Sequence, residues 1–538
     1  MKKIDTIFTG IGLFAALIAT GTAVWQIGNG YNVPQNHVYP ANKYGAFLAS
    51  QHAIYINDFE NAAMFTRELQ DRDVAVVQNT ILLSDFLNST LPATAASLKD
   101  EKGSVAQLIY DAHLVKTDNW DALYSRHKKD ETALAAPLRI WSSIATGKTK
   151  ETFKFIETLK TNNSWKSFVR GMIYAETGDI KRAGEQFDKV LIDFMNINDY
   201  MYVMAFYNEN NMVDAAKKLR DEFTERPGGM YMLDIDVQPK WSDFAGYHNA
   251  LAFSLIQNVS HTQIMMYSDL SLLMLRFAQV IQDDKTSEIN AVNYYLGQFF
   301  FNNGGDFQGY FKAIDPASPF HPFAMMKIAE KSGKTTELER TVHKNPLFVP
   351  ASNKLIAKYI QNGDKRKALR VVNHGLKNKN LTEAGRAYFL KTRGQIYYMF
   401  DDMDAAQTDI RSAADILPVD AGILGIQARI WAAEKRELET AYEYAIALVK
   451  RSPTDIEAWD VLGSVVWARE GVDAALEVVE RVGQISETCS SLFEHLGDMY
   501  IEMGDTKRAQ DSYARAIELS DDGLTVLPKL QKKLRNLK

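Results

Sequence analysis

The chain has 538 residues, more than one globular core ordinarily organises. At 46% hydrophobic and 24% charged it is not a disordered protein, and a formal net charge of −6 argues against nucleic acid as the main partner. Cys489 is the single cysteine, which excludes an intramolecular disulfide and a cysteine-based metal cluster.

The first element is an uncharged apolar run at 7–27 behind Lys2 and Lys3. It has the ~20 residues that cross a bilayer, and the form of a Sec-type signal sequence. Lysines at its front stay cytoplasmic, which places the rest of the chain across the membrane. Gly21-Thr22-Ala23 is a small-residue pattern suited to cleavage. Cleavage and retention both stay open, and a buried core helix is the alternative. Residues 1–27 are expected to be a signal peptide or membrane anchor and 28–41 a linker. The protein is then exported, and periplasmic, either soluble or anchored to the inner membrane. The absence of cysteine near the end of the run excludes a lipoprotein anchor. "GIGLFA" matches a loose dinucleotide fingerprint, but no strand precedes it.

From 42 to 380 the sequence carries weak copies of one helix–turn–helix pattern. "KYGAFLASQHAIYINDFENAAMF" holds Ala49, Asp58 and Ala62 in register. The match is poor over 70–160. "WKSFVRGMIYAETGDIKRAGEQFDKVL" has Gly171, Tyr174, Gly178, Asp179, Ala183 and Phe187. "YMYVMAFYNENNMVDAAKKL" and "AVNYYLGQFFFNNGGDFQGYFKAI" are further copies, and between them 228–245, "GGMYMLDIDVQPKWSDFA", breaks the pattern and is expected to be a long connection. "NKLIAKYIQNGDKRKALRVV" restores it with Leu355, Tyr359, Gly363, Asp364 and Ala368. "GKT" occurs at 147–149 and 333–335, but a phosphate loop needs a glycine five positions earlier, where Ser142 and Ile328 stand. Both triplets read as turns between helices.

From 387 to 520 the pattern is regular, with a period of about 34 residues. Units begin at Ala387, Gly422, Ile456 and Ser490. In the last, Phe493, Leu496, Gly497, Tyr500, Ala509, Tyr513 and Ala516 fall at positions 4, 7, 8, 11, 20, 24 and 27. Trp459, Leu462, Gly463 and Ala475 repeat part of this set one unit earlier, and Leu390, Gly394, Tyr397, Ala406 and Ala413 repeat it in the first. The second unit departs from it, because Arg429 stands at the glycine position. Small residues at 8 and 20 let two helices approach, large ones fill the space between hairpins, and "GD" supplies a left-handed turn followed by a helix cap. The tail 521–538 contains "LTVLPKLQKKLRNLK", a short basic amphipathic helix. It suits the solvated cap that a repeat array needs at its end, and contact with an acidic surface is its functional reading.

These motifs resemble the tetratricopeptide repeat. The resemblance is strong over about 387–520, moderate at 165–225 and 350–380, and weak elsewhere. It implies an all-α fold, a right-handed α-solenoid of antiparallel helix pairs. The combination with an export signal is similar to the multi-repeat tetratricopeptide proteins of Gram-negative, especially alphaproteobacterial, envelopes, which implies a role in protein interaction. In that family positions 2, 5, 9 and 12 of each first helix face the concave side. The resemblance thus places Tyr388, Lys391, Gln395 and Tyr398, then Ile423, Ile426, Ile430 and Ala433, in a groove. Glu457, Asp460, Ser464 and Trp467 follow, then Ser491, Glu494, Asp498 and Ile501. The C-terminal half of this groove is acidic, with Trp467 and Ile501 beside the carboxylates. Glu457, Asp460, Trp467, Glu494, Asp498 and Ile501 are therefore the candidate protein-binding residues, for a basic or amphipathic segment. A solvated helix face that binds nothing is the alternative.

Chemistry is hard to find elsewhere. The ten histidines never begin H-E-x-x-H, and no G-x-S-x-G elbow exists. His495 reads as a packed repeat histidine ahead of a metal ligand. No catalytic residue, cofactor or metal is expected. The expected function is a non-enzymatic scaffold or adaptor for other proteins in the cell envelope. Two alternatives stay open: an envelope enzyme or chaperone-like factor with a site in 70–160 or 228–350, and a membrane-anchored adaptor facing the cytoplasm.

Overall fold

The structure, a computed structural model, describes residues 43–537 apart from 68, 70–74, 89, 102–103, 131, 133, 236–238, 262–268, 283–287 and 486–487. The signal or anchor expected at 1–27 and the linker at 28–41 lie outside the described residues. Among the described residues the fold is all-α, a succession of helices joined by tight turns. None of these helices is long and apolar enough to cross a membrane.

The hairpins follow from local chemistry. At Gly178, Gly363 and Gly504 the backbone takes φ of 81°, 74° and 77°, which only glycine adopts without strain. The next residue is aspartate each time. Its N–H returns to a tyrosine carbonyl, from Asp179 to Tyr174 at 2.9 Å, Asp364 to Tyr359 at 2.8 Å and Asp505 to Tyr500 at 2.9 Å. This closes the first helix in a Schellman motif. The aspartate carboxylate then accepts the N–H of Arg182, Lys367 or Arg508 and starts the second helix. Where the sequence diverges the turn persists with other residues. Asn57, Asp118, Asn211, Asp401 and Lys435 take the left-handed position, with φ between 52° and 60°. The returning bonds recur there, for example Asp402 N–H to the Tyr397 carbonyl and Arg436 N–H to the Trp431 carbonyl. Asparagine and aspartate tolerate that conformation better than other side chains. Both GKT triplets lie in such turns, with Gly147 at φ 76° and Gly333 at φ 66°.

Helix pairs lock through size-matched residues. A Cβ on Gly171 would collide with Phe187, on Gly394 with Ile410, on Gly463 with Val479 and on Gly497 with Tyr513. Ala183, Ala368, Ala406, Ala441, Ala475 and Ala509, at position 20, are all at 0% exposure, so nothing larger fits between the helices. In the hairpin where Arg429 replaces glycine, position 24 holds the fully buried Ala445 in place of a large residue.

The chain forms two compact units, one holding the described residues through Asp199 together with Lys240–Ile314, the other Tyr200–Pro239 with Asp315–Lys538. In the first unit the helices Tyr247–His261 and Asp269–Ile281 are buried over most of their length. There the Trp141 indole donates to Ser254 at 2.8 Å, and Asp199 accepts from Gln257 and meets His261. Of the stretch expected to be a loop at 228–245, the part through Pro239 belongs to the second unit and is packed inward at 229–232. Met230 and Tyr231 are fully buried, and the Tyr231 ring meets the edges of Phe323 and Phe348.

The C-terminal array of the second unit is numbered here from α1 (Val349–Gln361) and α2 (Lys365–Leu376). Then follow α3 (Glu383–Met399) with α4 (Met403–Ile416), and α5 (Ala421–Ala433) with α6 (Leu438–Arg451). The last pairs are α7 (Ile456–Glu470) with α8 (Val472–Ile485), and α9 (Ser490–Glu502) with α10 (Thr506–Glu518), before a final helix α11 (Leu527–Arg535). Each helix packs on the next, and the first helices α3, α5, α7 and α9 also pack side by side.

Candidate protein-binding groove

The aligned first helices present one continuous wall. Gln395 and Tyr398 of α3, Ile426 and Arg429 of α5, Glu457 of α7, and Ser491, Glu494, His495 and Asp498 of α9 line a cavity of about 210 Å³. Its other side is the chain's own C-terminal segment, through Leu524, Thr525, Val526, Lys529 and Lys533.

The six candidate residues separate into three environments. Glu494 and Asp498 are half-buried on the wall and form one acidic pair, bridged by the Lys533 ammonium at 2.8 Å and 2.6 Å. Asp498 also accepts the Tyr513 hydroxyl at 2.6 Å. Burial alone would lower the Lys533 pKa, and the two carboxylates hold it above the usual lysine range. Glu457 remains solvent-accessible on the wall, yet protein crowds it enough to raise its carboxyl pKa above the usual value. Trp467 and Ile501 lie away from the cavity. The Trp467 indole donates to Glu502 at 3.0 Å, and Ile501 is exposed.

Asp460 requires a correction. The repeat register made it a groove carboxylate, but it is at 0% exposure. It sits in the seam between first helices, where it receives the Arg429 guanidinium at 2.9 Å, the Ser491 hydroxyl at 2.7 Å and the His495 imidazole at 2.7 Å. Burial pushes the Asp460 carboxyl up, and the neighbouring His495 and Arg429 charges overcome this, holding it well below the usual range. His495 moves the other way. Burial lowers it, and the Asp460 carboxylate more than reverses that. Asp460 is thus a structural anion beneath the groove and presents no charge to a partner. The signal for this cluster was in the sequence as an anomaly, an arginine at a glycine position.

Among the described residues no group of histidine, cysteine or carboxylate side chains is disposed to hold a metal ion. The wall carries a carboxylate pair, a third carboxylate at Glu457, and the side chains of Ile426 and Tyr398 at the cavity.

An all-α array with these turns and interlocked small residues is a helical-repeat protein of the kind that presents surfaces to other proteins. Residues 491–522 match the family model for the tetratricopeptide repeat, so the last hairpin, α9 with α10, carries such a repeat. No curated protein matches it. Among solved structures, a tetratricopeptide repeat protein from Parabacteroides merdae ATCC 43184 is 14% identical with a TM-score of 0.35, over 46% of this chain and 99% of that one. MamA (41-end) from Desulfovibrio magneticus RS-1 is 18% identical with a TM-score of 0.22, over 32% and 93%. The APC/C hetero-tetramer Cut9–Hcn1 gives 12% and 0.30, over 91% and 95%. Overlaps of this size assign no function.

Proposed function

We propose that this protein is a non-enzymatic scaffold or adaptor of the bacterial cell envelope, exported by its N-terminal run, whose C-terminal groove binds basic or amphipathic segments of partner proteins. The observation that carries the groove reading is the engagement of Glu494 and Asp498 by a single lysine, Lys533, at 2.8 Å and 2.6 Å. It supports a wall built to take a cation presented on a helix. Half-buried carboxylates beside apolar surface favour such a ligand by charge complementarity, and they discriminate against acidic partners.

Recovery of crosslinked partners from the native envelope tests the binding role. The double change Glu494→Lys with Asp498→Lys is expected to lose a partner that the parent retains. Equal recovery would remove the groove from the account. Location is tested separately by fusing alkaline phosphatase after Lys43. Activity is the expected result, and an inactive fusion would instead place the repeats in the cytoplasm.

A further inference from the structure

The groove is already taken by the chain itself. Leu530 of α11 is fully buried against the last hairpin, and Lys533 reaches across to Glu494 and Asp498 on α9. At its other end, Lys529 bonds the Met399 carbonyl at 3.2 Å and Asp401 at 2.7 Å, and Pro528 lies against Gly363. The final helix therefore spans from the last hairpin to the ends of α1 and α3.

Two parts of this segment are held very differently. Residues 520–526 are tightly anchored. Asp522 accepts from both the N–H and the hydroxyl of Ser490, at 2.6 Å each, and Thr525 donates to the Ser490 hydroxyl. Gly523 packs so closely on Ala357 that a Cβ would collide, and Thr525 and Val526 are buried. From Leu527 onward the hold is by Leu530, by the partly buried Leu534 and Leu537 on the same core, by the Gln510 amide on the Leu537 carbonyl at 2.8 Å, and by the two lysines. The helix Leu527–Arg535 is shorter than the ~12–15 residues at which isolated helices are marginal, and Leu530 is its one buried residue. Its Lys529–Asp401 pair is exposed to solvent, where screening leaves such pairs weak. Beneath it remains the 210 Å³ cavity beside Ile426, Tyr398 and Glu457, below the roughly 300–1,000 Å³ of a small-molecule site but roomy for a side chain.

We propose that the last helix is a built-in occupant of the groove, tethered at 520–526, and that partners bind by displacing it. It rests on the reading of the groove as a protein-binding surface and sharpens it. The displacing partner is a basic amphipathic helix that sets a lysine or arginine on Glu494 and Asp498, and fills the cavity that α11 leaves beside Ile426. A short tether holds a competitor at an effective concentration of about 1 mM. If α11 binds with an intrinsic Kd of ~10 μM, the tether weakens a partner's apparent affinity roughly a hundredfold.

The test uses the full chain and a fluorescein-labelled synthetic peptide of residues 524–538 as probe, followed by fluorescence anisotropy. Lys533→Glu sets a carboxylate against Glu494 and Asp498 and releases the tether, so the peptide is expected to bind that variant at least tenfold more tightly than the parent. Lys533→Ala, which introduces no repulsion, gives a smaller gain of the same sign. Hydrogen exchange of the 527–537 amides in the parent accelerates when peptide saturates it. Equal affinity for parent and Lys533→Glu, with the 527–537 amides still protected, overturns displacement. If that binding is also abolished by Glu494→Lys with Asp498→Lys, the groove reading survives the loss. Peptide bound by no variant, or unaffected by the double reversal, overturns both.

Discussion

At the residue scale the informative position is the one that breaks the repeat. Arg429 stands where its neighbours have glycine, and it pairs with a fully buried aspartate one hairpin later. Arg429→Ala leaves Asp460 charged and unpaired on that side, and is predicted to cost about 3–5 kcal/mol in urea unfolding. The same cluster sets a pH dependence. His495 has a raised pKa, so its contribution is fully present below the ordinary value of 6.5 and fades as pH rises through the raised one. Asp460 is depressed, so its contribution holds above the ordinary 3.8 and fades as pH falls below it. The array should therefore be more stable at about pH 5 than at about pH 8, and His495→Gln should flatten that difference in urea midpoints. Packing gives a third case. Gly497→Ala drives a Cβ into the Tyr513 ring and should cost about 1–3 kcal/mol.

At the element scale, legibility tracks how local the physics is. The glycine–aspartate turns and the small residues at position 20 could be read directly, because each is decided within one hairpin. The turns at Asp401 and Lys435 were hidden, since non-glycine residues take the left-handed position there. Gly504→Ala isolates the conformational term. With φ at 77° and nothing within 4 Å of the added Cβ, the loss of about 1 kcal/mol should come from backbone strain alone, and so be smaller than that of Gly497→Ala. Asp460 was misplaced because register along one helix predicts a face. Burial in the seam between two first helices depends on the neighbouring repeat. The sequence of the last helix suits either a cap or a contact for an acidic surface. It buries Leu530 on the last hairpin and pairs Lys533 with the acidic wall. Only the folded array brings these two features together.

At the scale of the whole molecule, the account rests on the shared wall of α3, α5, α7 and α9 being where other proteins are bound. A photo-crosslinking residue placed at Gln395 or Glu457 samples that wall, and one at the exposed Glu443 or Glu477 samples the second helices α6 and α8. Cells expressing each variant would be irradiated and the adducts separated by mass. The prediction is discrete protein adducts from Gln395 and Glu457, lost when Glu494→Lys and Asp498→Lys are added, with none from Glu443 or Glu477. Adducts from the second-helix positions alone, or wall adducts indifferent to the charge reversal, would contradict it.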